Sequence, residues 1–151
     1  MVTVAHLTLT TEKDAADIRA ILEDLSAAYR TKDAQAIGRH YAPGARIADL
    51  APPLLRHGFH PEGIQTWLDG WHGPVDIATR DVVVDVDGAL AVAHGLQHVR
   101  TRTRSGEDAA WWSRVTRTFA RTPAGWRITH EHDSVPFHMD GSFRAAVDLE
   151  P

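Results

Sequence analysis

Residues 111–136, WWSRVTRTFARTPAGWRITHEHDSVP, constrain this chain more than any other stretch. They read as two long strands joined by a short turn at Arg121-Thr122-Pro123-Ala124-Gly125. A strand alternates its side chains between two faces, so spacing converts directly into geometry. Trp126, Ile128, His130, His132 and Ser134 fall on one face, and Arg127, Thr129, Glu131, Asp133 and Val135 on the other. Trp126 and Ile128 are apolar and are expected to point at the core, and His130 and His132 follow them inward. The opposing strand carries Trp112 and Arg114. A one-residue slip of register would exchange His130 and His132 for Glu131 and Asp133 as the inward pair.

A chain of 151 residues has the length of one domain with a real core, so residues 1–151 are read as a single unit. A net charge of -4 argues against a nucleic-acid or anionic-membrane partner. The arginines at 100, 102, 104, 114, 117 and 121 cluster locally and leave room for a small anionic ligand. The absence of cysteine excludes disulfides, thiolate catalysis and cysteine-ligated metals. The opening MVTVAHLTLTTEKD has neither a basic segment nor an apolar run, and no stretch approaches a membrane span, so a cytoplasmic location is the expectation. Ten histidines are the outlying count, and they raise the question of acid–base or metal chemistry.

Taken in order, residues 1–10 form either an edge strand or an arm. Thr11 and Asp14 resemble a capping box. Ile18, Ile21, Leu22, Leu25, Ala28 and Tyr29 then fall at helical spacing, predicting an amphipathic helix to about Thr31. Asp33 caps a second helix over 34–41, ended by Pro43-Gly44, and 45–50 form a short strand with Asp49 at its end. Residues 52–60 read as an apolar rim or lid. Pro61 and Glu62 open a third helix whose face is Ile64, Trp67, Leu68 and Trp71. Strands follow over 76–86 and 89–104, the latter placing Leu90, Val92, His94, Leu96 and His98 on one face. The tail after Phe137 is amphiphilic. This order predicts an α+β fold in which three helices pack in one strongly curved, mostly antiparallel sheet, a cone-shaped barrel with one apolar pocket.

Lys32-Asp33-Ala34-Gln35-Ala36-Ile37 leading to Tyr41-Ala42-Pro43-Gly44-Ala45, the helix entry between Gly58 and Trp71, and the stretches Trp112–Thr116 and Gly125–Ser134 carry a resemblance. On these residues the chain resembles the SnoaL-like branch of the ketosteroid isomerase and nuclear transport factor 2-like superfamily, from about Ala15 onward. The resemblance implies the cone fold, a homodimer formed through the outer sheet face, and a pocket for a small hydrophobic organic ligand, usually without metal. It places Asp49 at the position of the isomerases' general base, and His94 and Leu96 on the pocket wall, with His130 and His132. The position of those enzymes' oxyanion-hole tyrosine falls near Leu25, which cannot donate. That of their oxyanion-hole aspartic acid falls at or beside Val115, with Arg114 as a replacement. The superfold hosts isomerases, cyclases, dehydratases, epoxide hydrolases and non-catalytic binders, so activity does not follow from it.

The chemistry expected of these residues is proton transfer. Asp49 works as a base if an apolar pocket desolvates it. His130, His132 and His94 titrate near neutrality. Arg114, if interior, needs a carboxylate partner in Asp49, Glu131 or Asp133, or an anionic substrate group. Tyr29, Trp67, Trp71, His98, Trp112 and Asp133 complete the expected binding wall. The competing reading is a metal held by His130 and His132 with His94 or His98, suited to zinc or non-haem iron. The preferred reading is a cofactor-free isomerase, cyclase or dehydratase acting on a hydrophobic carbonyl-bearing metabolite. The alternatives are a non-catalytic binding or assembly module and the histidine-ligated metal enzyme.

Overall fold

The computed structural model describes residues 12–151, so the arm at residues 1–10 and the Thr11 half of the capping box lie outside the described residues. Helix α1 covers Glu12–Arg30. Ile18, Leu22, Leu25 and Ala28 recur every three to four residues along it and are all buried. Removing each of the larger three from water stabilises the fold by roughly 1.5–3 kcal/mol. The helix is pinned to the sheet at both ends, by Arg121 on Asp14 at 2.7 Å and by Arg30 on Asp76 at 3.0 Å.

Helix α2 is a single turn, Ala34–Gly38, capped by the Asp33 carboxylate on the Ala36 N–H. Strand β1, Tyr41–Ala48, begins where the second helix was expected to continue, and Pro43-Gly44 interrupts that strand instead of ending the helix. The rim segment contains a two-residue strand, β2 (Arg56–His57), before helix α3 at Pro61–Asp69. Helix α3 stops before Trp71. The Arg104 guanidinium reaches the Asp69 and Gly70 carbonyls there, satisfying oxygens the helix leaves unpaired. Three long strands and a fourth follow: β3 (Asp76–Asp87), β4 (Leu90–Arg102), β5 (Asp108–Thr122) and β6 (Gly125–Ser134).

The six strands form one curved sheet in the order β2-β1-β6-β5-β4-β3, antiparallel except where β1 runs parallel to β6. The sheet curves around the helices but ends on β2 and β3 rather than closing as a barrel. Curvature comes from interruptions. On β3, residues 81 and 82 form a bulge opposite Gly95, with Asp81 at φ 54. A Cβ on Gly95 would lie 2.9 Å from the Arg80 carbonyl, so only glycine lets the two backbones cross this closely.

The bulge that decides the site is on β6. Phe119 pairs with Ile128, but the next β5 residue, Thr118, pairs with His130, leaving Thr129 as an extra residue. The Thr118 and Thr129 hydroxyls meet at 2.8 Å. Trp126 and Ile128 are buried as expected; beyond the bulge the inward positions are Glu131 and Asp133, and His130 and His132 point outward.

Candidate functional site

The inner faces of the sheet and of helices α1 and α3 enclose a cavity of about 390 Å³. Tyr29, Phe59, Trp67 and Trp111 supply aromatic wall, and Ile47, Ile64, Ile77 and Val99 supply aliphatic wall. Its polar groups gather at the β1–β6 end, where Asp49, Glu131 and Asp133 face it, with Gln97 across from them on β4.

Glu131 sits in a buried network. Its Oε2 accepts the Tyr41 hydroxyl at 2.7 Å and the Arg117 Nε–H at 2.5 Å, while Arg117 Nη2 donates to Gln97 Oε1 at 3.1 Å. Arg117 and Glu131 are only 5% and 4% exposed, so each is the other's compensation for lost water. Burial pulls the Arg117 guanidinium down, but Glu131, Tyr41 and Asp133 together outweigh it and drive it up. Burial and Glu131 likewise raise the Tyr41 and Tyr29 hydroxyls.

Asp133 lies two residues further along the same face and opposite Val115, which offers no side-chain donor. Among the described residues its Oδ1 has no hydrogen-bond partner. Burial first, and then the Glu131 charge, push its carboxyl up to about 7, against the pull of Arg117. Asp49 is tethered instead: its Oδ2 accepts Arg56 Nη1 at 2.6 Å and its Oδ1 accepts the Ala51 N–H at 3.0 Å. Burial raises its carboxyl, with Arg56 opposing. Arg56 Nη2 also reaches the Pro52 carbonyl at 2.7 Å, which holds the rim segment closed on itself.

The cavity therefore brings together four of the residues predicted to form it: Asp49, Tyr29, Trp67 and Asp133. Trp71 stands behind the wall, with its ring 6.0 Å from Trp67 and 6.1 Å from Trp111. The remaining candidates belong to the opposite face of the sheet. Arg114 is exposed and donates to Ser134 Oγ at 3.1 Å. His98 stacks on Trp112 at 4.3 Å. His94 and His132 flank Thr116, and Leu96 pairs with Arg114, so none of these faces the cavity. His130 instead contacts the Arg46 carbonyl through Nδ1 at 2.7 Å. The histidine set proposed for a metal is thus not assembled, and among the described residues no group of three potential ligands is arranged to hold an ion.

The misplacement has a physical cause on each strand. On β4 both faces carry apolar residues, and Ala91, Ala93 and Val99 are buried rather than Leu90, which is 65% exposed. On β5 the inward set is Trp111, Ser113, Val115, Arg117 and Phe119. The alternation of Val115 with Phe119 carries that signal, and it would have named Arg117 rather than Arg114 as the interior cation. Gln97 and Arg117, which the sequence reading did not place in the wall, follow from these two faces, Glu131 from the β6 bulge as the alternative a one-residue slip offers, and Tyr41 from its place on β1 beside β6.

A family model described as a SnoaL-like domain matches residues 18–138. Among solved structures, an NTF2-like protein of unknown function from Pseudomonas putida KT2440 superposes with a TM-score of 0.83 at 26% identity, over 95% of this chain and 100% of that one. A protein of the NTF2-like family from Streptomyces avermitilis, provisionally described as a dehydratase, gives 0.73 at 16% identity over 83% and 97%. The association domain of the C. elegans CaMKII gives 0.66 at 20% identity over 82% and 96%. No curated protein matches the chain. With the family model covering most of its length and the fold shared with the Pseudomonas protein, the chain belongs to the SnoaL-like branch of the NTF2-like superfamily.

Proposed function

We propose that this protein is a cofactor-free acid–base enzyme acting on a hydrophobic, carbonyl-bearing small molecule, of the isomerase, cyclase or dehydratase type. The observation that carries the reading is Asp133, a carboxyl at the polar end of an otherwise apolar cavity whose Oδ1 has no hydrogen-bond partner among the described residues. A group pushed up to about 7 takes and gives a proton at neutral pH, as proton-transfer catalysis requires. Asp49 is the second carrier, and Arg56 holds it at the mouth. The two carboxylates take over the roles first assigned to His130, His132 and Arg114. The Streptomyces relative described provisionally as a dehydratase is in keeping with such chemistry.

The reading includes one domain over residues 1–151, a cytoplasmic location and a homodimer through the outer sheet face, where His98, Trp112 and Leu96 are half-buried and His98 stacks on Trp112. The C. elegans relative is by description an association domain, which is in keeping with assembly through this fold. A non-catalytic binder is the second reading. It is favoured by the commitment of Arg117, Arg56 and the Tyr41 hydroxyl to carboxylates of the protein itself, which leaves these donors engaged.

The test is turnover of a panel of aryl β-hydroxy ketones, followed by the absorbance of the dehydrated product. Asp133→Asn is expected to lower kcat by about 10²–10⁴-fold, the span typical of losing a general acid–base group. Ligand affinity should change only a few-fold. An unchanged kcat, or a wild-type protein that binds these compounds without converting them, contradicts the catalytic reading and leaves the binder.

A further inference from the structure

We propose that the cavity is built for a ligand bearing a basic nitrogen, an arylalkylamine whose nitrogen meets Asp133 while its ring lies against Trp111, Trp67 and Tyr29. The inference rests on the reading of this cavity as a small-molecule site with Asp133 as its proton-exchanging carboxyl, and deepens it by naming the charge class of the ligand that Asp133 holds.

Charge accounting carries the argument. The polar end holds three carboxylates, Asp49, Glu131 and Asp133, against two guanidiniums. Arg117 is spent on Glu131 and Gln97, and Arg56 on Asp49 and the Pro52 carbonyl. His60, the other basic side chain on the lining, has its Nε2 on the His57 carbonyl. An anionic ligand would meet no uncommitted cation there, and Asp133 would repel it. A cation would find the missing counter-charge in Asp133, whose Oδ1 lacks a partner among the described residues. The walls add to this selection, because aromatic faces attract cations and a desolvated site strengthens that attraction.

Proton balance is simple. A neutral amine entering while Asp133 is protonated takes the proton from the carboxyl oxygen onto its lone pair, leaving carboxylate and ammonium in contact. An amine that arrives already protonated displaces the carboxyl proton to solvent. Because the carboxyl is pushed up to about 7, the displacement occurs below neutrality and fades above it.

Calorimetric titration with three matched indoles tests the proposal: tryptamine (cation), tryptophol (neutral) and indole-3-acetate (anion). At pH 8 tryptamine is expected to bind at least about tenfold more tightly than tryptophol, and indole-3-acetate more weakly than both. At pH 6, comparison of buffers with different ionisation heats should show proton release with tryptamine and none with tryptophol. Asp133→Asn should erase the tryptamine advantage while keeping tryptophol binding, which shows that the pocket is intact. Tryptophol or indole-3-acetate binding as tightly as tryptamine, a preference that survives Asp133→Asn, or no binding of any of the three at millimolar concentration overturns the proposal. A tryptamine preference without hydroxy-ketone turnover sinks only the catalytic reading. Turnover without the preference sinks only this one.

Discussion

Arg117→Leu is expected to destabilise the protein by about 3–5 kcal/mol, measured as a loss of unfolding free energy in urea. The substitution leaves Glu131, 4% exposed, with the Tyr41 hydroxyl as its remaining side-chain partner and no adjacent counter-charge. The cost is that of an uncompensated buried carboxylate rather than the worth of the pair. Arg117→Leu combined with Glu131→Leu should therefore recover much of the loss, because removing both charges removes the desolvation penalty. A single variant that costs less than about 1 kcal/mol, in the range of an exposed pair, would mean that water reaches this network.

Asp133→Asn is expected to act in the opposite direction, with an effect that grows from about pH 3.8 and is complete above about pH 7. The folded carboxyl is pushed up to about 7, whereas the ordinary value is 3.8. The folded state therefore holds this proton more tightly than the unfolded chain does. The resulting stability is fully present below about pH 3.8 and is lost as pH rises through about 7. By pH 8 the wild type carries an ionised, poorly solvated carboxylate that the near-isosteric amide lacks. The variant should then be more stable by an amount on the order of a few kcal/mol at most, since each tenfold change in proton affinity is worth about 1.4 kcal/mol. At pH 4 the two proteins should unfold together. A variant that gains stability while losing turnover shows the trade expected of a residue kept for function. Equal stability at both pH values would mean that Asp133 titrates as an ordinary surface aspartate.

The fold was largely legible because its strongest signals are local. The helical spacing of Ile18, Leu22, Leu25 and Ala28, Pro61 opening α3 and the hairpin around Pro123-Ala124-Gly125 each follow from chain chemistry. What local spacing misses is tertiary pairing. Tyr41 enters a parallel ladder with β6, so a helix continuing to that residue competes with a strand and loses. The cavity was legible in the sequence, but which β6 residues face it was not. Trp126 and Ile128 correctly point inward, yet the alternation extended from them fails at Thr129, where one extra residue changes which set faces the cavity. A bulge of this kind leaves no mark in hydrophobic periodicity, since His130-Glu131-His132-Asp133 is polar throughout. Arg114 shows the same limit: an interior arginine does require a carboxylate, and the structure meets that requirement three residues on, at Arg117 with Glu131.

The most direct test of the account is the titration of the Asp133 carboxyl itself, followed by carbon NMR of protein labelled at its aspartate carboxyls. The account predicts one resonance that titrates near pH 7 and is absent from Asp133→Asn. An Asp133 resonance that titrates near the ordinary value of 3.8 would show a solvated, permanently ionised carboxylate, and would contradict the acid–base role that the proposed function assigns to it.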